Sequence, residues 1–198
     1  YPETDAFKGD LAIMDILATN GWKRPVYFST TVPSSQYKGL DRFFIREGLA
    51  YRVAPVRTGT PAPGEFGMTD PYVMYDNVIN KFKWGNAEKP GVYLDENNRR
   101  MFSNYRSTFG ELALSLLAAG DTAKALEVTH KGLGLVPEDK MPYDYFTLSL
   151  ADALIECGLK DEGTDILNRI IKYSRNYLDY CVALPATGRF GLEYHRTE

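Results

Sequence analysis

The residue types best suited to binding chemistry occur together in one basic and aromatic stretch, residues 23–57. It holds seven basic and two acidic side chains, a charge of +5, which leaves −8 for the remainder of a chain whose net charge is −3. Such a stretch suits anionic lipid headgroups, a phosphate-bearing substrate or an acidic partner domain. A solvated face with its rings turned inward is an open alternative. The binding surface that we expect comprises Arg24, Tyr27, Arg42, Arg46, Tyr51, Arg52 and Trp84.

The sequence contains none of the motifs that mark catalytic, cofactor-binding or metal sites. His130 and His195 are far apart, and neither stands at a metal-ligand spacing from Cys, Asp or Glu. Cys157 and Cys181 occupy apolar segments, which favours buried free thiols, while a disulfide between them stays open. We therefore expect a chain that is not itself an enzyme and needs no cofactor. The enzymatic alternative places a pocket between two subdomains, lined by Arg24, Tyr27, Arg52 and Trp84.

The composition narrows the class of protein further. The chain has 198 residues, of which 44% are hydrophobic and 25% charged, so it is not intrinsically disordered. Its net charge of −3 argues against a nucleic-acid-binding protein. No run of 18 apolar residues occurs, so no membrane span is expected within these limits. The first residue is Tyr1 rather than Met, and we expect an excised part of a longer chain.

The first part of the chain has the pattern of a small α/β subdomain. Helical spacing and the closing Asn20-Gly21 predict a helix from Asp10 to Asn20. Strands are predicted over residues 24–31 and 49–57, with a brief helix at 40–47 between them. A strand–helix–strand order favours parallel pairing of the two strands. Residues 58–69 are predicted to form a loop, and Asp70-Pro71 to begin the next helix.

The second part of the chain has the punctuation of tetratricopeptide helical hairpins. The first repeat shows its pattern at Phe109, Leu112-Ala113, Leu116, Gly120, Ala125, Gly132 and Pro137. The pattern recurs 38 residues later, with Leu150-Ala151, Leu154, Gly158 and Gly163 in the equivalent places. Residues 176–183 are predicted to add a capping helix, followed by a loosely held tail at 190–198. The expected fold is α+β and mostly helical, with a two-stranded α/β subdomain (1–90) packed on a tetratricopeptide-like repeat pair (91–198).

Several segments resemble a known family. They are Asp10–Ser29, Gly48–Val53, Tyr93–Met101 and Met141–Phe146. The first contains Trp-Lys-Arg-Pro-Val-Tyr-Phe, and the third contains Leu-Asp-Glu-Asn-Asn-Arg-Arg-Met. These segments resemble the carboxy-terminal soluble part of a bacterial multi-pass membrane family that is related to protein O-mannosyltransferases and is often labelled a glycosyltransferase. The resemblance implies that an upstream membrane part, using a lipid-linked sugar donor, holds the catalytic carboxylates. No catalytic residue therefore carries over to this chain.

The resemblance also implies a location and partners. The chain would lie on the periplasmic or extracytoplasmic side of a bacterial inner membrane, next to the membrane-embedded portion of the same protein. The basic and aromatic stretch itself also suits contact with the membrane surface. We expect a non-catalytic accessory domain that binds a protein or glycan substrate or stabilises the membrane part. The alternative function is a free-standing tetratricopeptide-type scaffold for protein interactions.

Overall fold

The computed structural model describes residues 7–58 and 66–184. The chain divides into two compact units, Tyr1–Phe82 and Lys83–Glu198. The first unit carries a small sheet and the second is mostly helical. The predicted α+β class with a high helix content is therefore confirmed. Among the described residues, no helix is long and apolar enough to cross a bilayer. The predicted tail at 190–198, with His195, and most of the predicted loop at 58–69 lie outside the described residues. The loop prediction is wrong at its end, because Met68–Thr69 form a strand.

The first predicted helix is present as α1, Lys8–Asn20. It begins before Asp10 because Asp10 occupies the third helical position, where its carboxylate accepts a hydrogen bond from the backbone N–H of Phe7 at 2.9 Å. Gly21 ends the helix as predicted, with a left-handed φ of 54°. Ile13 and Leu17 of α1 pack against the core of the first unit.

The sheet of the first unit has four short strands in the described residues, β1 (Tyr27–Ser29), β2 (Phe44–Arg46), β3 (Ala50–Val53) and β4 (Met68–Thr69). Their order is β1-β3-β2-β4, in which β3 pairs antiparallel with β1 and β2, and β2 pairs parallel with β4.

The predictions of two strands and of parallel pairing between them are wrong. Residues 40–47 do not form a crossover helix, because a single 3₁₀ turn at Leu40–Phe43 leads directly into β2. The three residues after β2 then reverse the chain into β3, and a short hairpin connection gives antiparallel strands.

One face of this sheet, the inner face, forms the core of the first unit. Phe28, Phe44, Tyr51 and Val53 are buried there together with Tyr37 from the preceding loop. The rings of Phe44 and Tyr51 are stacked, with centroids 5.2 Å apart and planes at 12°. Each of β1, β2 and β3 therefore contributes one ring to this face, while the neighbouring residues of the strand point to the opposite face.

The last helix of the first unit starts where the sequence predicts. The carboxylate of Asp70 accepts a hydrogen bond from the N–H of Val73, and Pro71 takes the first position of α2, Pro71–Tyr75. The helix continues as a π-helical segment, Asp76–Lys81. From this segment Asn77 Nδ2 donates to the backbone oxygen of Glu47 at 2.7 Å, which ties the segment to the β2–β3 turn.

The second unit contains four described α-helices, α3 (Glu96–Ala118), α4 (Thr122–Gly134), α5 (Leu148–Glu156) and α6 (Lys160–Ala183). Helix α3 packs against α4 and α5, and α5 packs against α6. The predicted turn between α3 and α4 is present, since Gly120 has a φ of 82° and Asp121 caps α4. The separate helix predicted at 176–183 is instead the end of a continuous α6, because no Gly or Pro interrupts residues 164–184.

Small residues allow these helices to approach closely. A Cβ added to Gly132 of α4 would lie 2.7 Å from the Cβ of Phe109 in α3. A Cβ on Gly163 of α6 would lie 2.6 Å from Ile155 Cγ1 in α5. Each glycine thus leaves the room that a neighbouring apolar side chain occupies. The side chains that fill the helical core include Phe109, Leu112, Leu116, Val128, Leu150 and Leu154, all fully buried.

A buried arginine holds the connection between α4 and α5. Arg106 of α3 is 0% exposed and donates from its terminal nitrogens to the backbone oxygens of Val136, Met141 and Pro142 at 2.8–3.0 Å. Its guanidinium lies 5.1 Å from the ring centroid of Tyr143. Burial lowers the pKa of Arg106. The side chain therefore supplies donors to a connector whose carbonyls would otherwise be buried without partners.

Candidate functional site

A row of four side chains crosses the sheet on the face opposite the aromatic core. Tyr27 pairs in register with Arg52, Arg52 with Ile45, and Ile45 with Met68. The row therefore runs through all four strands and presents an aromatic ring, a guanidinium, an aliphatic side chain and a thioether in sequence. Its two ends are half exposed, Tyr27 at 49% and Met68 at 48%. We call this set the outer row.

The carboxylate of Glu47 holds two members of the outer row in place. Arg52 Nε donates to Glu47 Oε1 at 2.5 Å, and the Tyr27 hydroxyl donates to Glu47 Oε2 at 2.9 Å. Glu47 lies in the β2–β3 turn and its side chain is 11% exposed. Its backbone oxygen is bound in turn by Asn77. The positions of the ring and the guanidinium are thus set by the fold itself.

The electrostatics of this cluster favour a neutral phenol beside a charged guanidinium. Partial burial, together with the hydrogen bond to Glu47, raises the pKa of Tyr27. The hydrogen bond to Glu47 raises the pKa of Arg52. In the described part of the chain, the hydrogen bond of Arg52 runs from Nε to Glu47, its two terminal nitrogens make no hydrogen bond, and the charge of Asp70 further favours the protonated guanidinium. The cluster can therefore offer a ring face and two charge-assisted donors side by side.

Arg46 and Tyr51, two other residues of the expected surface, lie on the inner face. Tyr51 is 7% exposed and packs within the aromatic core. Arg46 Nε donates to the backbone oxygen of Gly48 at 3.2 Å, and its guanidinium lies 5.8 Å from the ring centroid of Tyr51. Burial lowers the pKa of Arg46. Strand alternation thus separates this pair from Tyr27 and Arg52.

The remaining three residues of the expected surface stand apart from the outer row. Arg24 is exposed in the loop after α1, and Arg42 is exposed in the turn before β2. Trp84 belongs to the second unit, where it packs 5.2 Å from Tyr105 and 5.1 Å from Phe109, measured between ring centroids. The structure therefore brings together Tyr27 and Arg52, and separately Arg46 and Tyr51.

Sequence reasoning did not select Glu47 or Met68. Glu47 is an acidic residue in a basic stretch. The sequence feature that could have indicated its position in a turn is the glycine that follows it, since Gly48 has a φ of 132°. Met68 reaches the sheet through parallel pairing with β2, across residues that are distant in sequence. Such pairing leaves no local signal.

The cysteines and the histidine of the described region serve as ordinary packing or surface residues. Cys157 and Cys181 are both free thiols, as expected, but they are of intermediate exposure rather than buried. Partial burial raises the pKa of Cys157. His130 Nε2 lies 3.4 Å from Glu162 Oε1 at the surface. Within residues 7–58 and 66–184, no three His, Cys, Asp or Glu side chains come together as a metal site.

One comparison with known proteins gives a match. Residues 1–72 match the family model described as TMEM260-associated domain 2. The matched segment includes α1 and all four described strands, hence the complete outer row, and it ends in the first turn of α2. No curated protein and no solved structure matches the chain.

Proposed function

We propose that this chain is a non-catalytic, extracytoplasmic accessory domain of a membrane glycosyltransferase-like protein, and that the outer row holds a protein or glycan substrate. The match of residues 1–72 to a TMEM260-associated domain supports an accessory role in a membrane protein. The relation to protein O-mannosyltransferases and the periplasmic location are further parts of the proposal, supported by the sequence resemblance. The membrane-embedded portion of the same protein would then be the partner that performs sugar transfer.

The observation that carries substrate binding is the pairing of Tyr27 and Arg52 through Glu47. A half-exposed phenol offers an apolar ring face that packs on the C–H side of a sugar or on an apolar peptide side chain. The terminal nitrogens of Arg52 donate to hydroxyl or carbonyl oxygens beside it. Because Glu47 fixes both groups, binding costs little side-chain entropy.

Sugar transfer by the full-length membrane protein tests this proposal. Arg52→Met removes the free donors of the outer row, and we expect it to raise the KM for the acceptor substrate roughly fivefold to tenfold with kcat unchanged. Arg57→Met is the matched control, because Arg57 is exposed and lies outside the outer row. An unchanged KM for Arg52→Met, or an equal change in both variants, would refute substrate binding by the outer row.

A free-standing scaffold of the tetratricopeptide type is the second candidate, favoured by the close-packed hairpins of the second unit. The α3–α4 and α5–α6 pairs meet through small residues, and the second half of α6 exposes several aromatic and aliphatic side chains, among them Tyr173, Tyr177, Leu178 and Tyr180. The complete reading frame distinguishes the two candidates. Transmembrane segments encoded in the same chain support the accessory domain, and their absence supports the scaffold.

A further inference from the structure

The loop after α1 exposes a tryptophan in a backbone conformation that tryptophan rarely adopts. Trp22 has a φ of 56°, and it is 49% exposed. A bulky side chain is strained in this left-handed region, which glycine and asparagine enter readily. About half of the indole surface remains in solvent, so this apolar area is available for contact with another surface.

Hydrogen bonds from Asn20 close this loop into a rigid turn. Asn20 Nδ2 donates to the backbone oxygen of Arg24 at 2.6 Å, and Asn20 Oδ1 accepts from the Arg24 N–H at 3.2 Å. The N–H of Lys23 also donates to the backbone oxygen of Asn20 at 3.2 Å. The indole is thus presented at the tip of a fixed loop, followed directly by the exposed side chains of Lys23 and Arg24.

Helix α1 continues this surface with an exposed apolar stripe. Leu11 is 61% exposed and Met14 is 46% exposed, and Ala18 follows at helical spacing toward the loop. The adjacent side of α1 packs on the core of the first unit through Ile13 and Leu17. The exposed stripe is therefore the uncovered flank of one broad apolar face.

The exposed charges along residues 7–24 are mainly basic. Asp10 is buried and lies 3.5 Å from Lys38 Nζ, so it adds little negative charge to the surface. Among the described residues 7–24, the exposed charged side chains are Lys8, Asp15, Lys23 and Arg24. An exposed indole, an apolar stripe and flanking basic groups complement the interface of a bilayer whose headgroups are anionic.

We propose that α1 and the Trp22 loop dock this domain on the surface of a membrane that contains anionic lipid. The indole and the Leu11–Met14 stripe enter the interfacial layer, and Lys23 and Arg24 contact the headgroups. The docking lies flat on the bilayer and involves no span. The proposal rests on the proposed function only in placing the domain beside a membrane, and its test below uses no substrate.

Partitioning of the chain into lipid vesicles tests the docking. We expect binding to vesicles of phosphatidylcholine with phosphatidylglycerol, and at least about tenfold weaker binding to phosphatidylcholine alone. Trp22→Asn suits the left-handed backbone and should lower the partition coefficient about fivefold. The double change Lys23→Glu with Arg24→Glu should lower it about tenfold or more. Brominated lipid should quench tryptophan fluorescence in the parent chain and much less in Trp22→Asn.

Matched controls separate this site from general charge. Tyr93→Asn removes an aromatic residue that is 82% exposed in the second unit, and Lys172→Glu with Arg175→Glu reverses two exposed charges of α6. Both should bind vesicles like the parent chain. The docking proposal would be overturned if the parent chain did not bind the vesicles that contain phosphatidylglycerol. It would also be overturned if the control variants lost as much binding as the Trp22 and Lys23/Arg24 variants. Substrate binding by the outer row would not be affected by that result, because its test is the acceptor KM of Arg52→Met. The failure of one proposal can therefore be distinguished from the failure of the other.

Discussion

Tyr27 and Arg52 lie opposite each other on the antiparallel strands β1 and β3, and the carboxylate of Glu47 binds both of them. A phenol and a guanidinium that would otherwise move independently are thereby fixed at a half-exposed edge of the sheet. The acidic residue that fixes them comes from the β2–β3 turn, so this arrangement depends on the hairpin being formed. The geometry of the outer row and the fold of the first unit are therefore coupled.

Glu47→Gln should destabilise the first unit. The change replaces a charged acceptor of two hydrogen bonds by a neutral one, and we expect a loss of about 1–2 kcal/mol in the free energy of unfolding. Urea denaturation measures it, with Glu88→Gln, an exposed carboxylate in the second unit, as the control. A double-mutant cycle with Arg52→Met should show a positive coupling energy. Additive single changes would mean that the Glu47–Arg52 contact contributes nothing.

The phenol of Tyr27 should titrate above the ordinary tyrosine value of about 10. Partial burial is the largest cause and the hydrogen bond to Glu47 the second, so Glu47→Gln should bring the pKa part of the way down. Because the folded-state pKa is raised, the associated stability is complete below pH of about 10 and is lost as the pH rises through the folded pKa. Ultraviolet absorbance measured against pH reports tyrosine ionisation, and subtracting the curve of Tyr27→Phe from that of the parent chain isolates this phenol. A Tyr27 pKa at or below the ordinary value would contradict the cluster.

Arg106→Met should be strongly destabilising. The change leaves three backbone carbonyls of the α4–α5 connector without their donor, and we expect a loss of about 3–5 kcal/mol. Arg169→Met is the control, since Arg169 pairs with Glu138 and Asp165 at the surface and should cost no more than about 1 kcal/mol. Chemical denaturation of both variants provides the comparison. Similar losses in the two would show that Arg106 does not hold the connector.

Two glycines in α4 should respond oppositely to alanine. Gly132→Ala places a Cβ against Phe109 and should cost about 1–3 kcal/mol. At Gly134 a Cβ would meet nothing within 4 Å, and alanine there should be neutral or stabilise the helix by up to about 1 kcal/mol. Thermal unfolding distinguishes them. If both variants were equally stable, α3 and α4 would not be in the close contact described above.

Features set by neighbouring residues could be predicted from the sequence, whereas strand partners could not. Gly21, Asp70-Pro71 and Gly120-Asp121 mark helix ends because the required φ angles and capping bonds arise within a few residues. The pairing of β1 with β3 and of β2 with β4 depends on residues more than 20 positions apart. Apolar content alone could not distinguish a brief helix from a strand at 40–47.

The helix predicted at 40–47 also concealed the face of the sheet on which Arg46 lies. Once residues 44–46 form a strand, alternation puts Arg46 on the same face as the buried Phe44, while Ile45 joins the outer row. Tyr27 and Arg52 meet only because β1 pairs with β3 in one particular register. The burial of Arg106 could not be predicted from the sequence, because its three hydrogen-bond partners are backbone oxygens of a connector that is distant along the chain.

Site-specific photo-crosslinking in cells most directly tests whether the outer row holds a substrate. The full-length membrane protein would carry a benzophenone amino acid in place of Tyr27, or in place of Tyr145, which is 76% exposed in the second unit. We predict that position 27 captures a species bearing the transferred sugar, that Arg52→Met reduces this capture severalfold, and that position 145 does not capture it. Equal capture at both positions, or capture at position 27 that is unaffected by Arg52→Met, would contradict substrate binding by the outer row.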